Sequence, residues 1–364
     1  MSIENKLTYL ESTKGAIKQA IIGKGVSVTE SDTFRSYAEK IGQIQGGGSG
    51  DCPKYSTDLS DGVSDKFLIS YEIKNITLPS NMDNVIKMND CFNNFLQLTS
   101  IELPELPSLT NIDRCFQYCS SITSITFPSS LPKVTNMQAC FFSCNSLTSI
   151  ELPELPLLAN MSGCFYSCTS LTSVTLPSSL PNVTAMNSCF SNCIKLTSIE
   201  LPELPLLVNM SYCFQICTSL TSITLPSSLP KVTNMSGCFS TCQRLTSIEL
   251  PELPSIRNMR CCFKLSGFIT IRLKSLSTVT DSYEMFTYDY DLENIYIESI
   301  GDKMPLTNWG ISTCTRLTVE SLVNIMNALP TITSTKTCTI GTTNLAKLSP
   351  EQLAIGTSKG WSIN

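Results

Sequence analysis

The stretch LTSIELPELP, residues 147–156, decides how this chain folds, because near-identical copies of it return along the sequence. A sister stretch, LTSVTLPSSLP at residues 171–181, alternates with it. Ten units open in this way, the outer ones less regularly, at Ile73, Leu98, Ile122, Leu147, Leu171, Leu196, Leu220, Leu245, Phe268 and Leu292. Successive openings lie 23 to 25 residues apart. A fixed period of this length indicates a stacked repeat array.

Each unit begins with L-x-x-I-x-L, and this alternation of apolar and polar residues predicts a short strand with one buried face. In the unit at 147 the buried residues are Ile150 and Leu152, and Pro153 ends the strand because it has no N–H to donate. Asn160 then suits a helix N-cap. Apolar residues follow at the i, i+3, i+4 and i+7 spacing of a buried helix face. They are Met161, Cys164, Phe165 and Cys168.

These units resemble the leucine-rich repeats of BspA-like surface proteins. The resemblance rests on NMSGCFYSCTSLTS (160–173) and its copies, where that family typically shows N-M-x-x-M-F-x-x-C-x-x-L. It covers roughly residues 66–300, and this chain departs from it by having Cys where the family often has Met before Phe. The resemblance implies a leucine-rich-repeat solenoid. For function it implies only a broad group, since such repeats occur in adhesins, surface proteins and bacteriophage genomes.

The expected fold class is therefore α/β: a solenoid of about ten strand-turn-helix units with a parallel sheet, over residues 66–300. A small N-terminal helical anchor (1–45) and a Gly-rich linker and lead-in (46–65) are expected before it. A C-terminal α/β cap (301–364) is expected after it, resembling the end module of similar repeat proteins. Its pattern predicts helix 319–329, strand 337–340, helix 349–356 and strand 360–363.

Composition excludes several classes of function. The 364 residues contain 25 Lys+Arg and 30 Asp+Glu, a net charge of −5, and only 15% are charged, which disfavours nucleic-acid binding. The chain has no histidine, so Ser-His-Asp and Cys-His catalysis and imidazole-dependent metal sites are excluded. P-loop, dinucleotide-binding and nucleophile-elbow motifs are absent. No stretch approaches the roughly 20 apolar residues of a membrane span. We expect no enzyme activity, no cofactor and no membrane insertion.

Cysteines at C-x3-C spacing mark six consecutive units. Metal or redox chemistry, disulfides between stacked units, and use of cysteine as a small buried apolar residue are three interpretations. The C-x3-C spacing matches neither zinc knuckles nor a redox C-x-x-C, which favours the buried interpretation. The first cysteines of the pairs form the predicted core ladder: Cys115, Cys140, Cys164, Cys189, Cys213 and Cys238. Cys52 and Cys261 fall outside the pattern.

The outward position of each strand alternates between Thr and Glu. The series runs Thr77, Glu102, Thr126, Glu151, Thr175, Glu200, Thr224, Glu249, Arg272 and Tyr296. One hypothesis is a carboxylate-and-hydroxyl surface for a glycan or a cation. The alternative, which we favour, is a solvated face whose alternation keeps like charges apart.

Aromatic residues gather where the repeat decays. Candidate partner contacts, for a bacterial surface glycan or protein, are Tyr283, Tyr288, Tyr290, Tyr296 and Trp309. Exposed aromatics often anchor interfaces. The alternative is a cap over the open core of the last unit, which a solenoid needs.

The N-terminal segment shows a heptad seam with one polar interruption at Lys14. The candidate self-association residues, for a homo-oligomer such as a trimer, are Ile3, Leu7, Leu10, Ile17 and Ile21. Residues 13–44 also resemble short N-terminal modules of bacteriophage tail and fibre proteins, on the pattern I-K-x-A-I-x-x-K-G-V followed by D-T-F-x-x-Y-x-x-K-I. That resemblance implies attachment to other virion structural proteins.

The expected function is thus a non-enzymatic bacteriophage virion appendage of tail- or head-fibre type, displaying its solenoid for host-surface or virion contacts. Charged residues interrupt residues 1–20 throughout, so we expect no secretory signal there and predict localisation in a virion assembled in the host cytoplasm. A bacterial BspA-like adhesin is the alternative. A polysaccharide-degrading enzyme is less favoured, because such enzymes need paired acids across a cleft.

Overall fold

The computed structural model describes residues 73–78, 80 and 82–364, which wind into a parallel-strand solenoid of about 12 turns. One short strand opens each repeat unit, and the pairings between these strands are parallel. The strands are β1 (Asn75–Ile76), β2 (Ser100–Glu102), β3 (Ser124–Thr126), β4 (Ser149–Glu151), β5 (Ser173–Thr175), β6 (Ser198–Glu200), β7 (Ser222–Thr224), β8 (Ser247–Glu249), β9 (Thr270–Leu276) and β10 (Asn294–Ile300). Equivalent residues pair in register, for example Ile150 with Val174. The predicted fold class is confirmed.

The helix predicted within each unit is wrong, because the second wall of the solenoid consists of turns. In the unit that opens at Leu147, the N–H groups of Met161, Gly163 and Phe165 donate to carbonyls of the following unit at 2.8–2.9 Å. An α-helix would instead keep these bonds within its own unit. Gly163 and Ser167 have φ of 60°, and left-handed residues recur at the equivalent positions of other units. These conformations direct alternate N–H groups along the stack.

The apolar stripe and the asparagine nevertheless keep part of their predicted roles. Met161, Cys164, Phe165 and Cys168 are fully buried, so the spacing identified the inward face correctly. Asn160 does not cap a helix. Its Oδ1 accepts the N–H of Ser162 at 2.9 Å and so closes a local turn.

A column of stacked phenylalanine rings runs through the core. Neighbouring rings lie 5.2–6.1 Å apart between centroids and are nearly parallel. The column comprises Phe92, Phe116, Phe141, Phe165, Phe190, Phe214, Phe239, Phe263 and Phe286, all fully buried. Each unit thus buries its column phenylalanine against the rings of the neighbouring units, which ties the stability of one turn to the next.

The C-terminal segment closes the solenoid with helices and two short strands. A 3₁₀ turn (Ile311–Thr313) precedes helix α1 (Val319–Ala328), strand β11 (Lys336–Cys338), helix α2 (Thr342–Leu345), helix α3 (Pro350–Thr357) and strand β12 (Trp361–Ile363). The predicted α/β character is confirmed, with α2 as an additional element.

Helix α1 takes the place of another strand beside β10. Ser321 Oγ and Asn324 Oδ1 accept the N–H groups of Ile295 and Ile297 at 2.8 Å. Side chains thereby satisfy the open edge of β10, which would otherwise offer a template for pairing with another chain. Among the residues described, no helix combines the length and apolar character that a bilayer crossing requires. The seam residues Ile3, Leu7, Leu10, Ile17 and Ile21, and also Cys52, lie outside the described part of the chain.

Candidate contact surfaces

The cysteine ladder lies inside the molecule. All six predicted ladder residues, Cys115, Cys140, Cys164, Cys189, Cys213 and Cys238, are fully buried. Burial raises the pKa of these thiols where a shift is resolved, and for Cys213 the pKa reaches about 12. A neutral thiol without access to solvent is a poor nucleophile and a poor metal ligand. Across residues 73–78, 80 and 82–364, no group of three or more His, Cys, Asp or Glu side chains could hold a metal ion.

The second cysteine of each pair has a role that the sequence analysis missed. Cys168 Sγ donates to the carbonyl oxygen of Phe141, one unit back, at 3.0 Å, and Cys193 Sγ donates to Phe165 in the same way at 3.1 Å. Ser266 occupies the equivalent position and donates to Phe239 at 2.6 Å. The replacement of Cys by Ser at this single position was the available signal, since both side chains donate a hydrogen bond.

The strand face is exposed and regular. Registers place Glu151 beside Thr175 and Glu200 beside Thr224, so glutamates do not face each other on adjacent strands of these pairs. At the last rung of the alternation, Glu249 pairs with Arg272. The geometry fits a solvated face whose like charges are spaced two rungs apart.

A shallow hollow ends this face, where β9 and β10 lengthen to seven residues and α1 rises beside them. Arg272 lies over the ring of Tyr296 at 4.1 Å from its centroid. Lys274 Nζ lies 2.9 Å from Glu298 and 3.8 Å from Glu249. Tyr296 is half-buried, and Lys274 pairs with both glutamates beside it.

The predicted aromatic contacts divide between core and surface. Trp309 is fully buried, and its Nε1 donates to the carbonyl of Thr339 at 2.8 Å. Its indole meets Phe286 edge-on, with centroids 5.9 Å apart, and so terminates the phenylalanine column. The prediction that Trp309 contacts a partner is therefore wrong, because capping the last ring removes it from solvent.

Three of the tyrosines remain on the surface. Tyr283, Tyr288 and Tyr290 are 38%, 44% and 59% exposed. The rings of Tyr288 and Tyr290 lie 6.0 Å apart, and Leu265, 44% exposed, donates its N–H to Thr287 beside them. We call Leu265, Tyr283, Tyr288 and Tyr290 the tyrosine patch.

Cations lie over two of the three rings of the tyrosine patch, those of Tyr283 and Tyr288. The guanidinium of Arg260 lies 4.2 Å from the ring centroid of Tyr283, and Lys264 Nζ lies 5.9 Å from that of Tyr288. Lys264 also pairs with Glu284 at 2.5 Å, which lowers the pKa of that carboxyl through the hydrogen bond. The patch therefore combines exposed apolar area with side chains whose freedom is already restricted.

Parallel strands stacked at a 23- to 25-residue period around a leucine-lined core define a leucine-rich-repeat solenoid. A family model described as "BspA type Leucine rich repeat region (6 copies)" matches residues 63–160, 138–236 and 211–305, together well over half of the chain. The chain belongs to this family. None of the curated proteins searched matches it.

Two solved structures are similar to this chain at low sequence identity. A leucine-rich cell surface protein from Faecalibacterium prausnitzii A2-165 is 20% identical, with 69% of this chain and 79% of that chain covered and a TM-score of 0.36. A leucine-rich repeat protein from Bacteroides ovatus ATCC 8483 is 19% identical, with 77% of this chain and 79% of that chain covered and a TM-score of 0.46.

Proposed function

We propose that this chain is a non-enzymatic recognition protein of BspA type, which contacts a protein or glycan at a bacterial surface through the tyrosine patch. The observation that carries the proposal is the exposure of Tyr283, Tyr288 and Tyr290 on one end of an otherwise regular solenoid. A chain that lacks histidine and buries its ladder thiols has few groups suited to catalysis, which supports a binding role.

The physical case for the patch is its low entropic cost of binding. Tyrosine offers a large contact area with only two side-chain torsions, and the neighbouring cations already restrict the rings of Tyr283 and Tyr288. Each hydroxyl can also form a hydrogen bond at the edge of an interface. A small number of such tyrosines can supply most of the free energy of a contact.

The test compares the tyrosine patch with a matched tyrosine elsewhere. Tyr118 occupies the same left-handed position in an earlier unit as Tyr288, with φ of 62° against 64°, and is 40% exposed. We expect the variant Tyr283→Ser/Tyr288→Ser/Tyr290→Ser to bind fixed bacterial cells at least about tenfold more weakly than the unmodified chain, a loss of about 1.4 kcal/mol. Tyr118→Ser should bind normally. Equal binding by a folded triple variant would refute the proposal.

A bacteriophage virion appendage is the second candidate function. The observation that favours it is the resemblance of residues 13–44 to N-terminal modules of tail and fibre proteins. In this setting residues 1–45 would hold other virion structural proteins and would self-associate through the Ile3 to Ile21 seam. The tyrosine patch would then face outward from a particle assembled in the host cytoplasm.

Mass spectrometry of two fractions from one culture separates these settings. A surface protein should be recovered with washed cell envelopes, and a virion appendage with phage particles banded on a density gradient. Deleting residues 1–45 should remove the chain from particles if the second setting holds. Continued copurification of the truncated chain with particles would show that the N-terminal module is not the attachment.

A further inference from the structure

One position of the second wall supplies a hydrogen-bond donor to the core in turn after turn. The side chain there donates to the carbonyl oxygen of the column phenylalanine one unit back. Sulfur–oxygen distances are 3.0–3.2 Å for Cys119, Cys144, Cys168, Cys193, Cys217, Cys242 and Cys314. With Ser266 included, this donor column gives each of these buried carbonyls a second hydrogen bond, beside the backbone N–H that it accepts from the residue three positions on.

Asp289 occupies the same column between Ser266 and Cys314. The backbone identifies the position: Asp289 N–H donates to the carbonyl of Phe286 at 3.2 Å, as Cys168 N–H donates to Phe165 at 3.1 Å. Leu292 N–H then donates to Asp289, as Leu171 N–H does to Cys168. Phe263 lies one unit back and is the column phenylalanine that Asp289 should serve.

The carboxyl group of Asp289 is fully buried, and within the described residues neither of its oxygens has a hydrogen-bond partner. An ionised carboxylate only accepts hydrogen bonds, so it would face the Phe263 carbonyl as a second acceptor in a fully buried site. The cost of burying such a charge is relieved when the group binds a proton. A protonated carboxyl has one O–H and can replace the S–H or O–H of its neighbours.

We propose that Asp289 is protonated in the folded chain and donates its O–H to the carbonyl of Phe263, making a proton part of the support of the tyrosine patch. Asp289 lies between Tyr288 and Tyr290 in the chain, so this bond anchors the turn that presents both rings. The effect of this proton on binding by the tyrosine patch rests on the proposed contact function. The protonation itself does not.

The surrounding charges agree with a retained proton. Burial, together with the charge of Asp291, raises the pKa of Asp289 to about 8. The N–H of Phe268 lies near enough to lower it in part, without reaching hydrogen-bond geometry. From the following unit, Cys314 faces the carboxyl, and Arg316 is engaged with Asp291 and Glu293 at 2.9 and 2.5 Å.

The sign of the pH dependence follows from proton linkage. Because the folded-state pKa lies above the ordinary value of 3.8, the folded chain binds the proton more tightly than the unfolded chain. The resulting stabilisation is complete below pH 3.8 and is lost as the pH rises towards about 8. Over that window, opening of the turn at Asp289 should become up to about tenfold more frequent per pH unit.

Hydrogen exchange of the full chain between pH 5 and 9 tests the anchor without any binding partner. After correction for intrinsic exchange, protection around residues 263–292 should fall by close to tenfold per unit from pH 5 to 7 and level off above about pH 8. In Asp289→Cys, which restores the column residue, protection there should be nearly independent of pH. Ser266→Asp should introduce a new dependence one unit earlier. An unchanged slope in Asp289→Cys would overturn the proposal.

Infrared spectroscopy of the unmodified chain detects the proton on Asp289 without the use of any variant. The unmodified chain at pH 6 should show the band of a protonated carboxylic acid, disappearing as the pH passes about 8. If that band is absent at pH 6, Asp289 is ionised and the inference fails, whatever the binding assays show. If exchange and infrared results agree but the triple tyrosine variant binds normally, only the contact function fails.

Discussion

Two regions of the solenoid share one architecture but differ in detail: the regular turns between residues 98 and 262, and the terminal turns after residue 263. In the regular turns, strands of three residues repeat, and each unit from Leu98 to the one that opens at Leu220 has one phenylalanine of the column and two buried cysteines. In the terminal turns, β9 and β10 span seven residues, and Ser266 and Asp289 replace cysteines of the donor column. The phenylalanine column ends there on Trp309.

This contrast shows where a repeat protein can place residues that serve functions other than stacking. A regular residue has equivalent neighbours above and below, so its identity is constrained by packing alone. A residue that breaks the pattern is constrained by a requirement other than stacking. Trp309 covers the end of the core, and Ser321 bonds the edge of the sheet. Tyr288 and Tyr290 take no part in this closure and remain exposed.

The largest expected effect tests whether the regular turns depend on their neighbours. Phe190→Ala removes a ring stacked on Phe165 and Phe214 at 5.3 and 5.5 Å, and we expect a loss of about 3–5 kcal/mol in the free energy of unfolding. Because the lesion lies mid-stack, urea unfolding followed by circular dichroism should separate into two transitions. Phe95→Ala, at the N-terminal end, is the control and should keep a single transition.

A single unbroken transition for Phe190→Ala, with little loss of stability, would mean that stability does not pass through the ring column. The regular and terminal turns would then differ only in appearance.

A smaller effect is expected in the donor column. Cys168→Ala removes the sulfur and one of the two donors to the Phe141 carbonyl, which keeps the N–H of Cys144 at 3.1 Å, so we expect a loss of about 2–3 kcal/mol from the void and the unmade bond together. Cys164→Ala leaves a void alone and should cost about 1–2 kcal/mol. Cys168→Ser imitates Ser266 and should cost less than Cys168→Ala. Chemical unfolding under reducing conditions measures all three.

The reverse order, with Cys168→Ser costing more than Cys168→Ala, would show that apolar packing dominates this column. The donor role would then lose its support, and with it the equivalence between Asp289 and its neighbours.

Sequence patterns predicted the strands and the inward face for a clear physical reason. Ile150 and Leu152 must alternate with exposed residues for a strand to bury one side, and Phe165 must recur once per turn to meet its neighbours. The same spacing could not distinguish a helix from the observed turns. Both bury residues three and four apart, and the choice depends on N–H groups that bond only once the units are stacked.

Other features carried a weak or ambiguous signal. The left-handed positions accept Ser167, Ile216 and Tyr288 alike, so composition does not mark them. Exposure of Tyr288 and burial of Trp309 also could not be separated by sequence, because both are aromatic residues in the decaying repeat. Only the position of each relative to the last core ring decides which one forms the cap.

The smallest expected effect concerns the glutamates of the strand face, the surface on which the regular turns differ least from one another. Glu200 is exposed and lies beside Thr224. The nearest glutamates of the alternating series are two rungs away, roughly 10 Å at ordinary strand spacing. That separation is about one Debye length at 0.1 M salt. Glu200→Gln should therefore change the free energy of unfolding by less than about 0.5 kcal/mol.

Thermal melts at low and high salt measure this change in stability, with Thr224→Gln as the neighbouring control. A stabilisation above about 1 kcal/mol at low salt would show that the glutamates repel one another appreciably. The regular turns would then hold a charged surface at a cost to stability, as a surface selected to bind a cationic partner would.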